Sequence, residues 1–579
     1  AVAYGTTSTT ATVGNDARLS FIATGTGATS RTLQNKLRDI VSAKDFGATG
    51  DGSTDDTAAL QLALDASVGK SLYLPPGTYK TTAYLKIKEG TCFFAEKGTA
   101  TIDVQPTNGT AGPNTHGILI DGDSVVIDGL KISGTNQFKI VGGVRTEYAK
   151  AIVADQQVYS GVAYTRPTIT NCLIFGWGTG IELRRASTYT ITNNRLWGGE
   201  QFDNSSGANA GTSDIAIYGS VSPNDSFRGI ITGNFCLGNQ DVGIGASGNA
   251  GDHDITLSNN VIWPLQQDGV TPITNDANNK SRYGIIIGYV GNCSCRVVVS
   301  SNVIRDYGHT GIDCQTNTPP GGDIVVADNV VSRCGWSIKY PGDVSLKGGI
   351  WVDGGADSIT GNIVLDCTKV GIQYNSAQPI DGTKQHPRAV IANNNIARIA
   401  VDTNIAGGFG HGIAVIGNYT SGVLVSSNRV QAIAGIGIMV GVGAGAAYGN
   451  VHVVSNQIST ASTAGGIQVS NSGSLPCSIV GNSIVGADNE TANSNLNAGI
   501  WFANGVVHCN SNIITKFYYG IYYETSPDRN ITNTCHSNAI ATCNIGIWAG
   551  SGNWIVSTNA ISGSVNYDLR SGAWAGIVY

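Results

Sequence analysis

The chain has 579 residues, too many for one ordinary compact core, so several domains or an elongated repeat are expected. Glycine supplies 78 residues and charged side chains only 13%, which leaves Asn, Thr, Ser and Gly to make most of the surface. A net charge of −6 with no basic run excludes a nucleic-acid partner, and no stretch reaches the roughly 18 apolar residues of a membrane span.

In chain order, residues 1–40 read as a stem or neck, 41–110 as a cap, 111–560 as a repeat array and 561–579 as a short C-terminal segment. The first ten residues, AVAYGTTSTT, lack the positive and apolar regions of a signal peptide. The cap opens on VSAKDFGATGDGSTDDTAALQLALDAS (41–67), whose crowded glycines and aspartates suggest a cation or phosphate cradle. Spacing argues otherwise. A calcium loop from Asp51 needs Gly at its sixth position and Glu at its twelfth, where Asp56 and Leu62 stand. VGKS (68–71) has Leu64 in place of the first glycine of a phosphate loop. Residues 53–56 instead offer N-cap oxygens, and Ala58, Leu60, Leu62 and Leu64 predict a short apolar helix over the open end of an array. KSLYLPPGTYKT (70–81) then reads as a strand, a turn and a return.

Beyond residue 110 the sequence keeps restarting. VSSNVI, VADNVV, ITGNIV, VSSNRV and VVSNQI share one Asn, found at 171, 194, 234, 260, 302, 329, 362, 394, 428, 456, 482, 512, 538 and 559. Intervals of 21 to 42 residues mostly fall in the range of solenoids. Between them recurs a second phrase, GIEL, GIDC, GIWV, GIQY, GIAV and others, with Ile fixed after Gly. Period-two alternation makes these runs strands, and one repeat cannot bury its own apolar face. The prediction is an all-β chain: a right-handed single-stranded parallel β-helix of about fourteen rungs, with a short N-terminal capping helix. The fixed Ile becomes an inner column and the fixed Asn a ladder at a bend. The twelve cysteines are scattered, and Cys293 and Cys295 stand in a C-x-C without zinc-site spacing, so reduced, mostly buried thiols are expected, with no metal and no cofactor.

KDFGATGDGSTDDTAALQLALD followed by LYLPPGTYKT resembles the N-terminal cap of pectate-lyase-like β-helices, especially in bacteriophage tailspike and capsule-depolymerase proteins. SRTLQNKLRDIVSAKDFGA (30–48) is similar to the neck that joins a tailspike's particle-binding part to its β-helix. The resemblance implies a homotrimer in the virion, held to the phage tail or baseplate through its N-terminus. It also implies binding, and usually cleavage, of a bacterial surface polysaccharide.

Hydrolysis of a glycosidic bond needs two carboxyl groups, about 5–5.5 Å apart for retention and roughly 6.5–9.5 Å for inversion. If the Ile of each GI phrase points in, the next residue points out, and so does the one two further on. The first outward column then contains Glu182, Asp313, Trp351, Gln373, Trp501, Tyr522 and Trp548; the second contains Arg184, Gln315, Asp353, Asn375 and Glu524. Asp313 and Asp353 fall on adjacent rungs, offset by two residues, with Cα atoms roughly 8 Å apart. They are the expected acid/base pair. Glu182, about three rungs or 14 Å away, is a further candidate acid that also suits a sugar hydroxyl or a pairing with Arg184. Trp351, Gln373, Arg184, Tyr307 and His309 are expected to bind substrate, as is Tyr374, although its parity points inward. A lyase would use His309, Tyr307 and Arg305 on a uronic-acid polymer, and an adhesin would bind without cutting. Trp501, Tyr522 and Trp548 suit either sugar platforms or subunit packing. Asp381 and His386 lie on an expected loop at the edge of the groove.

Overall fold

A computed structural model describes residues 20–578 apart from 106–115, 155–165, 198–212, 219–226, 266–281, 317–322, 337–347, 377–388, 402–409, 418–421, 442–449, 471–475, 488–496, 525–531 and several gaps of one to three residues. The expected loop carrying Asp381 and His386 lies outside the described residues, as do the side chains of Cys293 and Cys295. The ten cysteines described are all free thiols, nine of them buried.

At the N-terminal side, Ser20–Phe21 pairs antiparallel with Arg31–Thr32, and Thr32 caps the short helix Leu33–Leu37 by accepting the Asn35 N–H. The coil starts at Ile40–Ser42. The aspartate-rich loop serves as scaffolding. Asp56 is buried and accepts hydrogen bonds from the Thr49 N–H (2.7 Å) and Gly50 N–H (3.0 Å). Asp51 accepts from the Ser53 and Thr54 N–H groups, both at 2.8 Å. The helix Thr57–Ala66 follows as expected, but Asp56 does not cap it; Asp55 accepts the Thr57 N–H instead. Leu60, Ala63 and Leu64 are buried, whereas Leu62 is 59% exposed, because three- and four-residue spacing selects 60, 63 and 64 for one face.

The expected return at 70–81 is a corner. Ser71–Tyr73 pairs in parallel with Ile40–Ser42 and Cys92–Phe94, while Gly77–Thr81 pairs in parallel with Ala100–Val104 on another face. From there the chain is a right-handed parallel β-helix with three faces. Thr179–Arg184 and Thr310–Thr316 represent the first face, Thr188–Thr192 and Asp323–Ala327 the second, Arg195–Trp197 and Val303–Arg305 the third. Each strand pairs in parallel with its counterpart one rung on.

Three columns hold the coil. The GI isoleucines stack in unbroken register, Ile181 on Ile215, Ile285 on Ile312, Ile312 on Ile350 and onward to Ile547, all at most 2% exposed. Rungs at Leu85, Ile118 and Ile152 extend this column below the first Asn phrase, so the coil has more rungs than that phrase marks. Between the second and third faces runs the Asn ladder, from Asn194 to Asn559. Asn362 is typical: its Oδ1 accepts from the Asn329 N–H and Nδ2, both at 3.0 Å, and its own Nδ2 donates to the Val326 carbonyl (2.8 Å) and Asn394 Oδ1 (3.0 Å). The preceding residue adopts a left-handed conformation, as at Asn193 (φ 56°), Asp328 (56°) and Gly361 (70°), which explains the Asn, Asp, Ser and Gly found there. Asn171 is one position out of step. It occupies the left-handed slot (φ 55°), and Cys172 stands where the ladder Asn would be.

The third column is the glycine before each Ile. A Cβ at Gly371 would lie 2.6 Å from Ile396 Cγ2 and 2.7 Å from the Gly412 carbonyl oxygen. These glycines face the core, as the Ile beside them does. The chain turns a corner there, and strict alternation is broken.

Candidate active site on the outer first face

Since Gly and Ile both point inward, the residue before the Gly points outward, and so does the residue after the Ile. The outer wall therefore carries its own packed layer of side chains. Val370, Ala414, Ile436 and Met439 form one apolar strip with Ile416; Ala498, Tyr519 and Ile545 form another with Trp501, Tyr518, Tyr522 and Trp548. This layer covers much of the wall that strand alternation makes solvent-facing. Glu182 and Gln373 are 4% exposed, Asp353 8% and Asp313 0%.

The register places Asp313 beside Trp351 on the next rung, and Asp353 beside Gln315, so the two acids stand on adjacent rungs two positions apart. Gln315 lies between them and donates from Nε2 to Asp313 Oδ1 at 2.8 Å. Gln373 stacks next to Trp351, which is half-buried. His309 is buried, its Nδ1 2.8 Å from Thr310 Oγ1, and its ring packs on Tyr283 with centroids 5.0 Å apart.

Other candidates separate from this group. Glu182 is four rungs from Asp313, about 19 Å, rather than three. The missed rung is Ser213–Tyr218, where Asp214 replaces the glycine and hides the phrase. Glu182 Oε1 accepts from Lys150 Nζ and from Arg184 Nε (2.7 Å), and the Arg184 guanidinium lies 5.2 Å from the Tyr218 ring centre, so this group is an ion cluster of its own. Tyr307 cannot line the groove. It is fully buried in the core, its hydroxyl 2.7 Å from where a Cβ of Gly243 would stand, and burial pushes its pKa well up. The glycines at 243 and 284 leave the space its ring fills. Tyr374 is likewise in the core, 3% exposed, in register with Val352 and Val415. Arg305 packs over the Trp263 ring, 3.1 Å from its centre, and Asp306 is held by Arg333 through bonds of 2.6 and 2.5 Å. The set drafted for a lyase is therefore dispersed.

Sequence reading missed the column before the glycine: Tyr283, Thr310, Val370, His411 and Tyr519. Its signal was present in the fixed Gly, whose inward direction reverses the parity of what precedes it. His411 is 6% exposed; its Nδ1 accepts the Ile436 N–H at 3.1 Å, and burial lowers its pKa to about 4. Further along, Trp501, Tyr522 and Trp548 occupy successive rungs, and Tyr522 and Trp548 stack at 6.4 Å with 9° between their planes.

Residues 40–145 match the family described as rhamnogalacturonase A/epimerase, pectate lyase-like. This part of the chain is pectate-lyase-like. The mannuronan C5-epimerase AlgE1 of Azotobacter vinelandii is 30% identical over 114 residues, which are 19% of this chain and 7% of the epimerase. Depolymerase 1, capsule K30/K69-specific, of Klebsiella phage K5-2 is 30% identical over 144 residues, 22% of this chain and 18% of the phage protein. The chain thus spans under a fifth of either relative's length. Among solved structures, tailspike protein 3 of bacteriophage CBA120 is similar at 14% identity and a TM-score of 0.44, over 92% of this chain and 67% of that one.

Proposed function

We propose that this chain is a phage tailspike that binds and depolymerises a bacterial surface polysaccharide, cutting glycosidic bonds by hydrolysis with Asp313 and Asp353 as acid and base. The observation that carries the reading is the placement of two carboxylates on adjacent rungs with Gln315 between them. Their Cα separation of roughly 8 Å suits inversion, with room for the attacking water. One carboxyl protonates the leaving oxygen while the other draws a proton from that water. Trp351 offers a ring for stacking, and Gln373 and His309 offer polar contacts to sugar hydroxyls. The likeness to a Klebsiella phage capsule depolymerase over 144 residues supports the substrate class. Because Asp313 is fully buried, the side chains over it must part for substrate to reach it.

Assembly as a homotrimer attached to the tail through the N-terminus completes the reading. Phe21, Ile22, Leu33, Leu37 and Ile40, all 39% exposed or more, give the N-terminal piece an apolar surface suited to a second and third copy. The test is Asp313→Asn and Asp353→Asn, assayed on a panel of capsular and O-antigen polysaccharides for new reducing ends. Each should lower cleavage by roughly 10²–10⁴-fold while binding persists. Full cleavage by both variants removes the assignment, an unsaturated product absorbing in the ultraviolet points to a lyase, and binding without cleavage by the unaltered chain points to an adhesin.

A further inference from the structure

The second face carries a column of outward side chains in register: Thr188 beside Arg228, Arg228 beside Asp254, Asp254 beside Arg296 and Arg296 beside Asp323. Pairing of Thr168 with Thr190 places Arg166 one rung below Thr188. In order, the column reads Arg, Thr, Arg, Asp, Arg, Asp. Basic and acidic residues alternate except at Thr188, where the alternation calls for a carboxylate and an exposed hydroxyl stands.

The charges on either side show what is missing. Asp254 is gripped by Arg296 through two bonds, 2.7 and 2.8 Å, and gives Arg228 only a 3.2 Å contact. Arg166 is held from the far side by Asp123. Both flanking side chains are open to solvent, 60% for Arg166 and 64% for Arg228. Two rungs separate them, about 9.6 Å between backbones, a span that two long side chains can close over one anion. A concavity of about 300 Å³ lies at this point, lined by Arg166, Thr168, Thr188, Thr190, Arg228 and Ile230. Three threonine hydroxyls there suit the hydroxyls of a sugar ring.

We propose that this groove is a second carbohydrate site, away from the carboxylate pair of the first face, and that it takes an acidic sugar whose carboxylate fills the missing position between Arg166 and Arg228. The site adds an anion-selective hold on a polymer. It does not depend on how, or whether, the first face cuts.

Binding to the full chain is measured by calorimetry with hexameric oligogalacturonate, with maltohexaose as the neutral control and galacturonate monomer and acetate as free carboxylates, all at one ionic strength. The expected result is saturable binding of the acidic hexamer, weaker binding of the monomer and none of maltohexaose. Arg228→Gln should weaken binding by about tenfold, the loss of one charge-assisted contact. Thr188→Asp supplies the acid from within, so it should abolish binding and raise the melting temperature without ligand; Thr188→Ala, which loses one hydroxyl and adds no charge, should weaken binding by only a few-fold. Asp313→Asn should leave this binding untouched, which separates it from the cleavage site. Undiminished binding in Thr188→Asp, equal binding of maltohexaose, or equal binding of acetate and hexamer would each overturn the proposal.

Discussion

Two bends of the coil hold it together by opposite means. At the bend between the second and third faces, one side chain repeats from Asn194 to Asn559, and its hydrogen-bonding groups are spent inside the coil. At the entry to the first face, the repeated feature is the absence of a side chain, since a Cβ at Gly180, Gly284 or Gly466 would run into core methyls and a carbonyl of the next rung. The first bend tolerates little variation and offers nothing to a ligand. The second turns two residues per rung outward, and those pairs vary freely: Thr179 with Glu182, Thr310 with Asp313, His411 with Ala414, Tyr519 with Tyr522. Varied polar and aromatic side chains gather outside the bend that is fixed by a missing group, because there the coil constrains the backbone and leaves neighbouring side chains free.

The comparison breaks most sharply at the ladder. Asn362→Ala should cost on the order of 4 kcal/mol in denaturant unfolding, because it orphans the buried Asn329 N–H and amide and leaves the Val326 and Asn394 acceptors underused. Asn171→Ala, outside the ladder, loses one bond to Asp128 and puts alanine in a left-handed conformation, and should cost about 2 kcal/mol. A similar loss for both would remove the distinction.

Next in size is a pH effect outside the glycine bend. His411 stays neutral in the folded coil down to about pH 4, whereas the unfolded chain protonates it near 6.5. Stability from this group is thus complete above 6.5 and falls as pH drops toward 4, by about 3 kcal/mol in all. His411→Gln keeps an acceptor for the Ile436 N–H and should flatten that slope in unfolding measured from pH 7 to 4. A slope identical to the unaltered chain would show that the position is not sealed.

The smallest effect tests the glycine bend. Gly311→Ala places a methyl against Val331 and 2.8 Å from the Gly349 carbonyl oxygen, at a backbone conformation any residue adopts. The cost is crowding alone, about 2 kcal/mol by thermal unfolding. Gly288, beside open space, should accept alanine with no change.

Much of this architecture was legible in the residues. The GI phrase gave the inner Ile column and the outward register, including the adjacency of Asp313 and Asp353. The SN, DN and GN dipeptides marked the ladder, because left-handed residues and buried amides leave a compositional trace. The failures have specific causes. Asp214 in a glycine slot concealed a rung and shortened the distance assigned to Glu182. Its carboxyl is sealed in the core, where burial raises its pKa well above the usual range. Tyr307 follows the third-face strand and reads as a groove residue beside His309; only stacking shows that glycines 243 and 284, on the two preceding first-face strands, open a slot for its ring. Period two also points the residue before each Gly inward, where the corner turns it outward.

The sequence by itself determined the coil, because each rung repeats the same local requirements: an Ile to bury, an Asn to bridge and a Gly where no side chain fits. Tertiary structure alone decided which outward residues meet and which are covered. Neighbours on that wall come from rungs 20 to 40 residues apart, and their contacts depend on side-chain layers that no single repeat contains.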